Sequence, residues 1–187
     1  MNKGLGVLLG VLAVILLIAV SLGSSYNNIV RLSENVDSKY SDISVQLKRR
    51  ADLIPNVVET VKGYAKHEKG TFEEVIKARN TYVSAKTPEE EMKASGAVTE
   101  ALSKLFALSE NYPELKANQN FLSLQNDLKD TEDKISYARQ FYNDSVLTYN
   151  NKVEMVPSNI VANMTGFKKA SFFETDEKDK EAPKVSF

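Results

Sequence analysis

The sequence predicts an all-α protein, an N-terminal single transmembrane helix followed by an elongated antiparallel helical bundle. Three observations predict it. Leu5–Leu22 is an eighteen-residue run with one serine and no charge, and no charged side chain occurs between Lys3 and Arg31. Beyond it, apolar residues recur at sevens with interleaved threes and fours, the period of a buried helical stripe. Proline and glycine, finally, are placed to divide helices rather than to punctuate strands. The expected organisation is an anchor over 1–25, a bundle over 26–166 and a charged C-terminal tail over 167–187.

At about 1.5 Å per residue the apolar run spans roughly 27 Å, close to the hydrocarbon thickness of a bilayer. A cleaved signal peptide is the competing reading, with Ser21-Leu22-Gly23 as a small-residue site. Its apolar region ordinarily runs about 7–15 residues, so the length favours an uncleaved anchor. Lys3 on one side faces Arg31 and Lys39 on the other, too small an asymmetry to orient the span. Gly6 and Gly10 form a G-x-x-x-G that lets two helix backbones approach closely in lipid. Glycine is also simply common in membrane helices.

Ile29, Val36 and Ile43 recur at sevens, with Tyr40 and Leu47 between them, and nothing from Tyr26 to Arg50 is Pro or Gly. Helix 1 is therefore expected to continue the membrane helix directly. Pro55 disfavours helical geometry at Ile54 and predicts a boundary there, with Pro55 opening the next helix. Thr71-Phe72-Glu73-Glu74 and Thr87-Pro88-Glu89-Glu90 read as capping boxes, the second strengthened by its proline. The helix from Pro88 should stop near Asn111-Tyr112-Pro113.

The last helix carries the clearest pattern, a coiled-coil-like seam of Phe121, Leu128, Ile135, Tyr142, Tyr149 and Val156 at unbroken sevens. Leu124, Thr131, Ala138 and Ser145 take the companion positions, small residues facing large ones. Gln119–Val156 would make about 57 Å of helix, which other helices must line. Ser158–Gly166 reads as a connector. Lys168–Phe187 reads as a charged tail with Phe172 and Phe173, extended toward Pro183 and its end.

Composition excludes most chemistries. Charge is balanced at −1, from 24 Lys+Arg against 25 Asp+Glu, which offers nucleic acid no electrostatic lure. There is no cysteine, no tryptophan, and one histidine, His67, so thiolate or multi-His metal centres are excluded. His67-Glu68 with Glu59, Glu73 and Glu74 would favour Mg or Ca over zinc, against a bland reading as a solvated helix end. Lys48-Arg49-Arg50 would lie roughly 39 Å beyond the bilayer if helix 1 is straight, too far for lipid headgroups. Charge favourable to a helix C-terminus is the simpler account.

Several blocks resemble the LemA family. They are Gln46–Glu68 (QLKRRADLIPNVVETVKGYAKHE), Tyr112–Phe121 (YPELKANQNF), Tyr137–Asp144 (YARQFYND), Val156–Asn159 (VPSN) and the closing Ala182–Phe187 (APKVSF). Ser186 stands where an acidic residue is expected. The resemblance covers nearly the whole chain. It implies a single-pass protein of the bacterial cell (inner) membrane with an antiparallel α-helical domain, and carries over no catalytic residue and no cofactor.

Asp52, Asn56, Asn118, Asn120 and Arg139 stand near helix ends or beside the seam, as register-setting or binding residues. The expected function is a non-enzymatic, membrane-anchored scaffold or adaptor. Its partners are the lipid bilayer, a second copy through Gly6 and Gly10, or another membrane protein, with no nucleic acid. The alternative is a hydrolase with a metal- or Ser-based site near His67.

Overall fold

Helix α1 runs from Lys3 to Lys62 without a break. The apolar run and the first bundle helix are thus one element, as the absence of Pro and Gly from Tyr26 to Arg50 leads one to expect. The structure, a computed structural model, describes residues 3–173. Its further helices are α2 (Lys69–Ser84), α3 (Pro88–Ser109), the short α4 (Pro113–Lys116), α5 (Gln119–Glu154) and α6 (Ser158–Thr165), and no strand occurs among the described residues. The fold is all-α, with one long apolar N-terminal segment and packed helices forming a bundle.

The boundary expected at Ile54–Pro55 is absent. Pro55 cannot donate to the Ala51 carbonyl, so the helical ladder leaves that oxygen open. Arg79 of α2 fills it, its Nε donating at 2.8 Å. Ile54, Val57, Val58 and Val61 are all buried, and that burial carries the helix past its proline. Of the two capping boxes, only one forms. Thr71 lies inside α2, which begins at Lys69 with no side-chain cap. Thr87 does cap α3, accepting the Glu90 N–H at 3.2 Å. The Glu90 carboxylate reaches back to the Lys86 N–H at 2.8 Å, one residue earlier than the usual box.

The described chain divides into two compact units, residues 3–39 with 142–172, and residues 40–141 with 173. In the second unit, the latter part of α1 packs with α2, α3 and the first two-thirds of α5. Short connections at 63–68, at 85–87 and through α4 make successive helices antiparallel. Ile43, Leu47, Leu105, Leu115, Phe121, Leu128 and Ile135 form its interior. Ala94, Ser95 and Ala101 present small buried side chains on α3, allowing close approach.

In the first unit, Ile29 and Val36 of α1 are buried, with Tyr142, Val146, Tyr149 and Val153 of α5 and Val161 and Ala162 of α6. Val156 is not part of the seam: α5 ends at Glu154, and Val156 is exposed just before Pro157. The Ser158 hydroxyl lies within hydrogen-bond distance of the Lys152 and Met155 carbonyls, closing the helix end that a continued seam would have needed. The expected connector Ser158–Gly166 is instead mostly the helix α6. It stops at Gly166, whose φ of 82° is the left-handed conformation glycine takes without strain.

Residues 167–172 form an extended strap on α5. Tyr149 donates its hydroxyl to the Lys168 carbonyl at 2.8 Å, and Tyr142 donates to the Ser171 carbonyl at 2.8 Å. Asn150 makes a reciprocal pair with Ala170, donating to its carbonyl at 3.0 Å and accepting its N–H at 2.9 Å. The first part of the expected tail is therefore ordered structure. Pro183 and the closing Ala182–Phe187, expected to be extended, lie outside the described residues.

Candidate functional site

The charged side chain most fully enclosed by the second unit is Arg50, only 2% exposed although it stands beside the exposed Lys48 and Arg49. Its place follows from the α1 stripe. Ile29, Val36 and Ile43 continue at sevens to Arg50 and Val57, so residue 50 faces inward whatever its chemistry. The reading of Lys48-Arg49-Arg50 as helix C-terminal charge therefore fails. The helix runs twelve residues further, to Lys62, and Arg50 points into the bundle.

Burying a guanidinium is costly unless its donors are met. Here Nη1 donates to Thr99 Oγ1 at 2.8 Å and to Glu132 Oε2 at 2.5 Å. Nη2 donates to Ser95 Oγ at 2.8 Å and to the Ser95 carbonyl at 3.1 Å. Arg139 of α5 donates from Nη2 to the same Ser95 Oγ at 2.8 Å, and its guanidinium lies 4.3 Å over the Phe173 ring. One serine hydroxyl thus receives two guanidinium groups, and α1, α3 and α5 meet through it.

A second polar contact ties α1 to α3. Tyr40 donates to Glu91 Oε2 at 2.5 Å, and Ser44 donates to the same oxygen at 3.3 Å. Burial, with the Glu91 carboxylate next, holds the Tyr40 phenol well above the ordinary phenol range. The Tyr82 phenol is pushed up to about 12, again by burial first and then by Glu91.

These groups make a brace rather than a reaction centre. A guanidinium at 2% exposure cannot meet a solute, and both its terminal nitrogens are engaged. Ser95 Oγ already accepts from two cations and has no general base beside it in this network. His67 is exposed in the turn between α1 and α2, and no group of three His, Cys, Asp or Glu suited to a metal occurs among the described residues. A groove of about 710 Å³ along α2 is lined by Lys62, Phe72, Ile76 and Lys77 among others, not by His67.

Of the residues singled out from sequence, Phe121, Leu128, Ile135, Tyr142 and Tyr149 are buried along α5. Arg139 enters the brace. Asn118 caps α5, accepting the Phe121 N–H at 3.0 Å, and donates to the Tyr64 hydroxyl at 2.8 Å, linking the α1–α2 and α4–α5 turns. Asp52, Asn56 and Asn120 are exposed, so none of them is enclosed between helices as a register residue would be. Gly6 and Gly10 lie in the exposed apolar part of α1, with open space around each. Sequence alone does not mark Arg50, Ser95, Thr99, Glu132, Tyr40, Glu91 and Arg79 as register residues. For Arg50 the signal was present in the sevens; for Glu132 it lay in the series 132, 139, 146, 153, whose last two members are buried valines.

Comparison with known proteins fits this architecture. The magnetosome proteins MamQ 1 and MamQ 2 of Paramagnetospirillum magneticum are each 29% identical over 192 residues, covering 89% of this chain and 70% of theirs. Protein LemA of Metamycoplasma hominis is 24% identical over 155 residues, covering 81% of this chain and 69% of its own. The part of α1 long and apolar enough to cross a membrane, with these likenesses, supports a membrane-associated helical protein. The LemA family model matches residues 39–187, which takes in the brace, the α5 seam and the strap, and the chain belongs to the LemA family.

Proposed function

We propose that this protein is a non-enzymatic scaffold, held in the bacterial cell (inner) membrane by a single pass of α1 and presenting its helices to a second copy or to another membrane protein. The observation that carries the reading is the continuity of α1. One helix supplies both an apolar run with no buried residue and, from Ile29 onward, the buried stripe of a bundle. Such a helix holds a folded body at the membrane without a flexible linker. The enclosed brace supports the same reading, because its chemistry goes into holding helices together. Gly6 and Gly10 support self-assembly through the membrane segment, since a Cβ at either would meet nothing within 4 Å in the single chain and the groove they leave is open to a neighbour.

The test is the mass of the intact protein in mild detergent, beside the Gly10→Leu variant. A defined oligomer that shrinks in the variant supports assembly through the anchor. An oligomer unchanged by the substitution removes the glycines from the account. A monomer in both cases leaves the adaptor form, to be pursued by in-cell cross-linking.

A further inference from the structure

Within the first unit, the turn after α5 and the outer face of α6 expose a run of large apolar side chains. Met155 is 63% exposed, Val156 78%, Ile160 53% and Met164 78%. Ile160 and Met164 stand one turn apart on α6, whose other face buries Ser158, Val161 and Ala162. The exposed side is therefore a face of its own and not the edge of a core. A patch of this kind usually marks a contact surface.

Its position in the unit says what covers it. The Tyr26 ring meets the Phe167 ring at 5.9 Å between centroids, which ties the exit of α6 to that level of α1. Met164 is three residues before Phe167 and Ile160 one helical turn before that, so the outer face of α6 stays near this level. Tyr26 is four residues beyond Leu22, or about 6 Å along the helix. The headgroup region on each side of a bilayer is about 5–7 Å deep. Where α1 leaves the hydrocarbon, the patch thus stands at headgroup depth. Tyr at this level, with the exposed cations Arg31 and Lys168 nearby in sequence, is the composition of a membrane interface.

We infer that the Met155–Met164 segment is a second membrane contact, in which Val156, Ile160 and Met164 enter the lipid interface beside the point where α1 emerges. The inference rests on the reading of α1 as a membrane span. The strap makes the contact stiff: Asn150 and Tyr149 hold residues 168–170, and through Phe167 the end of α6, against α5. One helix entering a bilayer fixes a point, whereas a helix and an adjacent interfacial face also fix a tilt.

The chain has no cysteine, so single cysteines can be labelled cleanly. Full-length Met164→Cys, Leu16→Cys and Ser103→Cys, each carrying an environment-sensitive fluorophore, are placed in vesicles of phosphatidylethanolamine and phosphatidylglycerol. Quenchers fixed at shallow or deep positions of the lipid are then added. The expected result is loss of emission at 164 with the shallow quencher, loss at 16 with the deep one, and none at 103. Quenching at 16 with none at 164 overturns the inference and leaves the anchor standing. A label at 164 shielded from aqueous iodide yet untouched by lipid quenchers also overturns it, because protein then covers the face. No lipid quenching at either position removes the anchor reading and the inference with it.

Discussion

The two units solve different polar problems with different chemistry. In the second unit the polar links run between helices, and they are charged: Arg50 and Arg139 converge on Ser95, with Glu132 balancing Arg50. In the first unit they run from α5 to an extended strap, and the enclosed ones are neutral, Tyr142, Tyr149 and Asn150 bonding to backbone, while the ion pair of Glu154 with Lys169 is exposed. The difference has a physical source. A helix interior consumes its own N–H and C=O groups, so two packed helices have mainly side chains with which to bond. An extended segment outside a sheet leaves its backbone open, and an amide side chain, with one donor and one acceptor end, satisfies it best. Charge is thus spent on helices that must agree with one another, and amide on a segment that must be pinned.

This contrast is breakable, most strongly at Arg50. Arg50→Ala empties a buried site and removes the cation facing Glu132, and should cost about 3 kcal/mol, near the low end for a broken buried pair because Glu132 is 39% exposed. Thermal unfolding followed by circular dichroism in detergent measures it. A loss below about 1 kcal/mol would make the brace no more than an ordinary hydrogen bond. Asn150→Ala should cost less, about 1–2 kcal/mol for two backbone partners, and its effect should be local. Amide exchange at Ala170 should accelerate roughly 5- to 30-fold, with the brace amides little changed. Equal acceleration in both units would erase the distinction drawn here.

Alkali gives the smallest effect under ordinary conditions and sharpens the contrast. The Tyr82 phenol ionises at about 12 in the folded chain against 10.0 when free. Between those values the unfolded chain has lost a proton that the folded chain keeps, so stability is level below about pH 10 and falls as pH rises toward 12. Tyr40, raised further, extends the loss upward. Tyr82→Phe should flatten the slope above pH 10 and leave neutral stability nearly unchanged. A pH scan of the unfolding midpoint in which both proteins fall alike would exclude this origin.

Much of this architecture is legible in spacing alone. The series through Ile43 and the series through Ile135 fall on buried faces because helical period is local geometry. What sequence hides is long-range rescue. Pro55 reads as a boundary until Arg79, from another helix, supplies the missing partner of Ala51. Arg50 reads as one of three neighbouring cations until its position in the sevens is ranked above its charge. The helix α6 is short and mixed in composition, so its periodicity is too brief to separate it from a loop. Arg139 enters the brace from the flank of the seam, where packing constrains it, whereas Asp52, Asn56 and Asn120 stand on outward faces under no comparable constraint.

Pro55 also bears on the order of events during biosynthesis. Up to about Lys48, α1 can wind on its own apolar pattern, but the turn at Ala51 stays one hydrogen bond short until a residue 28 positions later has arrived. At about 5–20 residues per second that is a wait of roughly 1–6 s on the ribosome. The last turns of α1 and the body of α2 therefore mature as a couple, and the proline that looks like a stop in the sequence works as a timer in the nascent chain.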